Sequence, residues 1–236
     1  MTRKEMKGPD KFQVAATGAL EWAQKNSRTV TVALVAVGAA VVAAIAIQAY
    51  SASSREQAGS RLFRALDAAE ADVSSVPLPG SERQVFSSEA ERARAVVDAA
   101  ARVRQEHSGS RAAATAALLA GEAQLRTGEW DAARASFEAY LAGAPADDSL
   151  RFAGLEGLAR AAEGKGDFAA AAAAFERAGR EVAFYKDRAA LEQARVLVRA
   201  GKAAEAKKLL AGFAEEHKES PLKGEALESL ARLGGQ

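Results

Sequence analysis

Residues 29–50 read TVTVALVAVGAAVVAAIAIQAY, an apolar run without a single Asp, Glu, Lys or Arg. At about 1.5 Å of rise per residue, such a run crosses a hydrocarbon core of roughly 30 Å as a helix. Val30, Val32, Leu34, Val35, Val37, Val41, Val42, Ile45 and Ile47 lie in it. At about 0.3–0.6 kcal/mol each, they favour insertion by roughly 3–5 kcal/mol in total. The alternative is a buried core helix, but such helices rarely stay apolar on all sides over this length. We therefore expect a transmembrane helix at 29–50. A cleaved signal peptide is the other reading, with small residues at Ala49 and Ser51. The run exceeds the usual apolar region of a signal peptide, which points to an uncleaved anchor.

The anchor divides the chain into a short head, 1–28, and a long tail. Arg3, Lys4, Lys7, Lys11, Lys25 and Arg28 precede the run, whereas only Arg55, Arg61 and Arg64 follow within the next stretch of similar length. Excess Lys and Arg mark the cytoplasmic side, so the head is expected inside and the tail outside. Phe12, Ala16, Leu20 and Ala23 recur at helical spacing. Residues 10–26 therefore read as an amphipathic helix in the membrane interface with Trp22 at headgroup depth, or else as a frayed tail.

Beyond the anchor, Ala58, Leu62, Leu66 and Ala69 mark one face of a helix that continues out of the run. Pro77, Pro79 and Gly80 then break the pattern, so residues 73–88 read as a loop. The segment 51–88 is thus a juxtamembrane helix plus a Pro-containing loop. Ser88 and Glu91 have the spacing of a capping box that opens the next helix. No alternating-period strand follows, and 89–236 reads as helices throughout.

Those helices repeat. Gly128, Gly166 and Gly201 each stand five residues before an alanine: Ala133, Ala171 and Ala206. Phe137, Phe175 and Leu210 follow four residues later, then Tyr140, Ala178 and Phe213. Each glycine marks a tight turn between two helices, each alanine a close crossing, and each large residue fills the groove beside it. Val96, Ala100 and Val103 show the same spacing in a diverged earlier unit. The segment ending in His107 and Ser110 parallels that ending in His217 and Ser220, where Ser220 and Pro221 read as an N-cap and first turn. Residues 222–233 form a last lone helix, the cap such arrays need.

These residues carry a resemblance. Residues 114–145 resemble a tetratricopeptide repeat, with Gly121, Ala123, Gly128, Trp130, Ala133, Phe137 and Pro145 on signature positions. Leu155, Leu158, Ala161, Asp167, Phe168, Ala171, Phe175 and Ala178 fit the next unit. In the third, Gly201 and Ala206 fit, but Ala203 replaces the usual aromatic. Ala159 and Ala194 stand where the first unit has a glycine. The resemblance spans roughly 90–233 and implies an all-α, right-handed solenoid whose concave face binds peptides or proteins. The complete layout of head, span, helix and degenerate repeats resembles the ancillary subunit of the bacterial Sec translocon. Local likeness extends over 12–66, through the Ala-Leu-Glu-Trp-Ala-Gln-Lys-Asn run into the span and residues 60–66 beyond it. That resemblance implies an inner-membrane anchor, a periplasmic repeat domain, and contacts with translocon subunits and a periplasmic folding factor.

Composition narrows the chemistry. The chain has 32 Lys and Arg, 31 Asp and Glu, and no cysteine. Disulfides, thiolate catalysis and Cys-based zinc sites are thereby excluded. Six of the basic and three of the acidic residues lie before residue 51, leaving 26 and 28 in the tail. A tail so nearly neutral gives no footprint for nucleic acid. His107 and His217 both end a second helix, where a cation suits the helix dipole, and neither has a second ligand at metal spacing. The glycines around Lys165 lack the strand and Gly-Lys-Ser/Thr pattern of a phosphate loop. We expect no cofactor, no metal, no small-molecule substrate and no catalytic residue. An enzyme is the opposing reading, and a buried carboxylate pair or a Ser–His contact would revive it.

The repeat register points Glu122, Leu125, Arg126, Glu156, Arg160, Glu163, Arg188, Arg195 and Arg199 to the concave side of the first helices. They form either a solvated helix face or a binding groove. The expectation is a membrane-anchored protein–protein interaction adaptor, an ancillary component of the translocon and periplasmic chaperone network. The alternative is an envelope scaffold for division or outer-membrane assembly. Ala36, Ala40 and Ala44 are small enough for two spans to pack closely, though nearly every neighbour is small as well.

Overall fold

The structure, a computed structural model, describes residues 25–74 and 84–235. Most of the expected amphipathic stretch at 10–26, and the residues Pro77, Pro79 and Gly80, lie outside the described residues. The chain divides into two compact units, Met1–Ser53 and Ser54–Gln236.

The helix α1 is assigned over Ser27–Glu70, with residues 27–53 in the first unit and 54–70 in the second. The apolar run lies in its first half. Every residue from 39 to 50 is exposed, with Val41, Val42, Ile45 and Ile47 between 53% and 69% accessible. Most side chains of 27–38 lie outside the described set. Among the described residues, no helix is long and apolar enough to cross a membrane.

The second unit is a stack of helices: α2 (Glu89–Glu106), α3 (Arg111–Thr127), α4 (Trp130–Gly143), α5 (Arg151–Gly164), α6 (Phe168–Glu181), α7 (Lys186–Arg199), α8 (Ala203–Glu216) and α9 (Lys223–Gly234). Each packs mainly on the helices before and after it in sequence. The end of α1 covers the diverged unit: Ala68 and Ala71 join Phe86, Ala93, Val96 and Ala123, and Leu62 packs on Ala100, Val103, Ala116 and Ala120. The segment read as a loop contains a short parallel bridge, β1 (Asp72–Val73) with β2 (Val85–Phe86). The Ser74 amide donates to the Phe86 carbonyl at 2.9 Å. Burial of Phe86 explains this departure from the loop reading, because its backbone groups then need partners other than water.

The three glycine turns are built alike. Gly128, Gly166 and Gly201 have φ of 77°, 77° and 76°, in the left-handed region where a Cβ is costly. After α3, Gly128 N–H donates to Leu125 O and Glu129 N–H to Gln124 O. The equivalent pairs are Gly166 to Glu163 with Asp167 to Ala162, and Gly201 to Val198 with Lys202 to Leu197. Ala133, Ala171 and Ala206 are all fully buried at the following crossings. Phe137, Phe175 and Leu210 are buried beside them, as are Val96, Ala100 and Val103 of the diverged unit. Ala159 and Ala194 are buried too.

Two glycines fix the first crossing: Gly121, on a signature position, and Gly157, which the repeat pattern did not single out. A Cβ on Gly121 would stand 2.8 Å from Phe137 Cε1, and one on Gly157 would overlap the same ring. Phe137 thus fills the space between α3 and α5 only because both carry glycine. One on Gly154 would stand 2.5 Å from Tyr140 Cδ1.

The helix ends correct two sequence readings. Ser88 caps α2, accepting from Glu91 N–H at 3.2 Å. The Glu91 carboxylate does not close the box on Ser88, however. It accepts from the amide and hydroxyl of Ser87, at 2.8 and 2.6 Å. Ser220 does not cap α9, which starts three residues later, after Leu222. Its hydroxyl donates to Asp187 at 2.6 Å and accepts from Leu222 N–H, so it bridges to α7 instead. His107 and His217 occupy C-cap positions, and their amides donate to Val103 O and Phe213 O.

The turn after α4 holds a buried carboxylate. Asp148 accepts from the Tyr140 hydroxyl at 3.0 Å, from Leu150 N–H at 2.9 Å and from Arg111 at 2.8 Å. Burial alone would raise its pKa, but these donors outweigh it and hold the carboxyl below its ordinary value. Burial, and then the bond to Asp148, push the Tyr140 hydroxyl upward.

Candidate functional site

The first helices of the units, α3, α5 and α7, together with α9, line one side of the stack. The hydrophobic stripe of each faces its partner helix, which leaves the charged positions of the repeat register on the other side. Glu122, Leu125 and Arg126 of α3 meet Arg160 and Glu163 of α5 around an open hollow of about 560 Å³, with Trp130 at its edge. Trp130 is held there because a Cβ on Gly164 would stand 2.5 Å from its ring.

Glu156 and Glu163 are not free groove acids. Glu156 accepts from Arg160 at 3.0 Å and from Arg188 at 2.9 Å. Glu163 accepts two bonds from Arg195, at 2.9 and 2.7 Å, and a third from Arg199 at 2.6 Å. The pairs span 32 and 36 residues of sequence and tie α5 to α7. Arg195 also reaches Glu192 at 2.7 Å. Bonds from Arg195 chiefly hold the Glu163 carboxyl below its ordinary pKa against an opposing effect of burial. The same bonds raise the Arg195 guanidinium further.

Burial is unequal within these pairs. The Glu163 side chain is 11% exposed, and those of Arg195 and Arg199 are 46% and 50% exposed. What reaches solvent is therefore guanidinium, with carboxylate beneath. Two guanidiniums also lie over rings: Arg199 is 4.4 Å from the centroid of Phe168, and Arg188 is 5.5 Å from that of Phe152. Such arginines are fixed before any partner arrives, which lowers the ordering cost of binding.

All nine sequence-nominated residues thus fall on α3, α5 and α7, in two hollows and the strip between them. Arg195 and Arg199 belong to the second hollow, about 440 Å³ between α7 and α9. Its other lining residues include Glu192, Val198, Glu225, Ser229 and Arg232. Glu225, Ser229 and Arg232 were missed because α9 was read only as a cap, whereas Glu192 and Val198 lie on α7 beside the nominated positions. The 35-residue spacing between Gly166 and Gly201, carried one step further, would have pointed to α9 as another first helix.

For chemistry other than binding, the arrangement offers little. Among the described residues no group of three or more His, Cys, Asp or Glu could hold a metal ion. The buried Asp148 is engaged by three donors. His217 stacks against Phe213 at 4.7 Å between ring centroids.

A family profile described as a tetratricopeptide repeat-like domain matches residues 21–180. The match takes in the apolar run and the first two clear units. No curated protein matches the sequence.

Proposed function

Because the chain belongs to the tetratricopeptide repeat-like domain family, whose repeats are typically non-catalytic interaction modules, we propose that it is a membrane-anchored adaptor. Its repeat array holds partner proteins along the groove of α3, α5, α7 and α9. The observation that carries this reading is the row of half-exposed arginines held on shielded glutamates, a pre-set polar surface without a reacting centre. Anchoring is supported by the apolar run itself and by the all-round exposure of residues 39–50 on α1. A tether confines the groove to the membrane surface and raises the effective concentration of partners embedded there, so modest affinity is sufficient.

The head is assigned to the cytoplasm and the repeats to the periplasm, from the distribution of Lys and Arg. In that setting the partners are translocon subunits and a periplasmic folding factor, by the resemblance of the layout to the ancillary translocon subunit. Two experiments test this. A reporter active only in the periplasm, fused after Gln236, should work, and activity only of a cytoplasmic reporter would sink the topology. A photo-crosslinking residue at Leu125, used in native membranes, should capture translocon subunits or folding factors. Adducts with division or outer-membrane assembly proteins instead would make the scaffold reading the correct one.

A further inference from the structure

The hollow between α7 and α9 differs from the rest of the groove in having an apolar floor. Leu191, Ala194, Val198, Leu210 and Leu233 form it. Val198 is 39% exposed, although its neighbours Val196 and Leu197 are buried. The rim carries three guanidiniums, Arg195, Arg199 and Arg232. The first two are anchored on Glu163 below. Arg232 is different, since its bond is to the Ser229 hydroxyl at 3.2 Å. Among the described residues it has no carboxylate partner. Of the two rim carboxylates, Glu192 is engaged by Arg195, and Glu225 forms no ion pair among the described residues.

We propose that this hollow is the anchor pocket of the groove, and that it takes a Leu- or Phe-sized side chain of a partner segment with an acidic residue beside it. The proposal rests on the adaptor reading and names the partner chemistry at one end of the site. A cavity of about 440 Å³ is within the range of small binding pockets and larger than one side chain needs. Filling it removes apolar surface from water on both partners. The adjacent carboxylate pairs with Arg232, which is exposed, weakly hydrated for a cation, and able to bind a carboxylate through two parallel bonds. No existing ion pair has to break. A basic segment would instead face three guanidiniums and one unpaired carboxylate. Positive charge on the rim thus selects against it.

The full chain in detergent micelles, titrated into a fluorescein-labelled peptide with a Leu-Phe centre flanked by Asp and Glu, tests the proposal by anisotropy. The acidic peptide should bind, and its Lys-flanked counterpart should bind roughly tenfold more weakly or not at all. Arg232→Glu and Val198→Glu each change an exposed side chain, so the fold should survive, as far-UV circular dichroism checks. Each should weaken the acidic peptide roughly tenfold. Lys208→Glu, on the outer face of α8, should leave affinity unchanged. Equal binding of the two peptides, or full affinity in Arg232→Glu and Val198→Glu, overturns the proposal. So does native mass spectrometry that finds a fatty acid or anionic lipid in the pocket, lost in Val198→Glu. Photo-crosslinking in native membranes separates this failure from that of the adaptor reading. Adducts at Leu125 but none at Val198 overturn the pocket alone, and none at either position overturns both. Adducts at Val198 that disappear with Arg232→Glu support it.

Discussion

The first and third clear units share a register but not a packing density. In the first, Phe137 lies between Gly121 and Gly157 with no room for a methyl group on either side. In the third, Leu210 takes the place of Phe137, Ala194 that of Gly121, and a hollow of about 440 Å³ opens beside them. Small residues opposite a large ring close the crossing, and a smaller filler opposite alanine leaves space. One repeat pattern therefore supports a rigid block at α3–α5 and an accessible pocket at α7–α9. Local residue size decides which, because interiors tolerate neither overlap nor void cheaply.

The largest effect is expected where the packing is tightest. Ala133→Leu forces three extra heavy atoms into a fully buried crossing, and chemical denaturation of the full chain should show a loss of about 3 kcal/mol. The same change at Ala171 tests the middle unit. A wild-type transition in either variant would falsify the register. Gly157→Ala comes next. The added Cβ overlaps the Phe137 ring, which is itself held by Gly121. Overpacking should outweigh the gain in helix propensity, for a net loss of about 2 kcal/mol.

Asp148→Asn should cost about 1–2 kcal/mol by weakening the bonds from Tyr140, Leu150 and Arg111. It also sharpens the comparison through pH. The Asp148 carboxyl is held below its ordinary value of 3.8 in the folded state. Its contribution is therefore present above that value and lost as pH falls through the lower folded one. Thermal melts should show a shallower acid limb in Asp148→Asn than in wild type, and identical limbs would remove Asp148 from the account. The smallest effect belongs to the open unit. Leu210→Phe restores the filler of the first two units and grows into the hollow. Stability should change by less than about 1 kcal/mol, in contrast to the losses above. The acidic Leu-Phe peptide should meanwhile bind more weakly, and unchanged affinity would separate the hollow from peptide binding.

Much of this contrast was legible from residue types. Gly128, Gly166 and Gly201 announce their turns because the left-handed conformation nearly requires them, and the alanines five residues on are equally diagnostic. The side of α3, α5 and α7 that bears charge follows from the helical period. Pairing across helices did not follow. Glu163 meets Arg195 and Arg199 only through the distance between α5 and α7, which no local pattern encodes. Gly157 looked like any helical glycine until Phe137 stood against it. Asp148 lies in an irregular turn, where nothing in the period marks a buried acid. Glu91 slipped by one residue from Ser88 to Ser87, a choice between adjacent donors that spacing cannot make.

The ties from Glu156 and Glu163 to the arginines of α7 also have a mechanical meaning. A stack in which each helix touches mainly its sequence neighbours bends by small, additive changes at each step. Between α5 and α7, two carboxylates act as stitches along one edge of the stack, crossing over the intervening α6. They resist opening of that edge and leave the opposite edge without such ties from these two acids. Because the arginines are half in water, the stiffness of the stitches depends on ionic strength. Salt should therefore loosen that edge of the stack through two glutamates whose side chains are largely shielded from solvent.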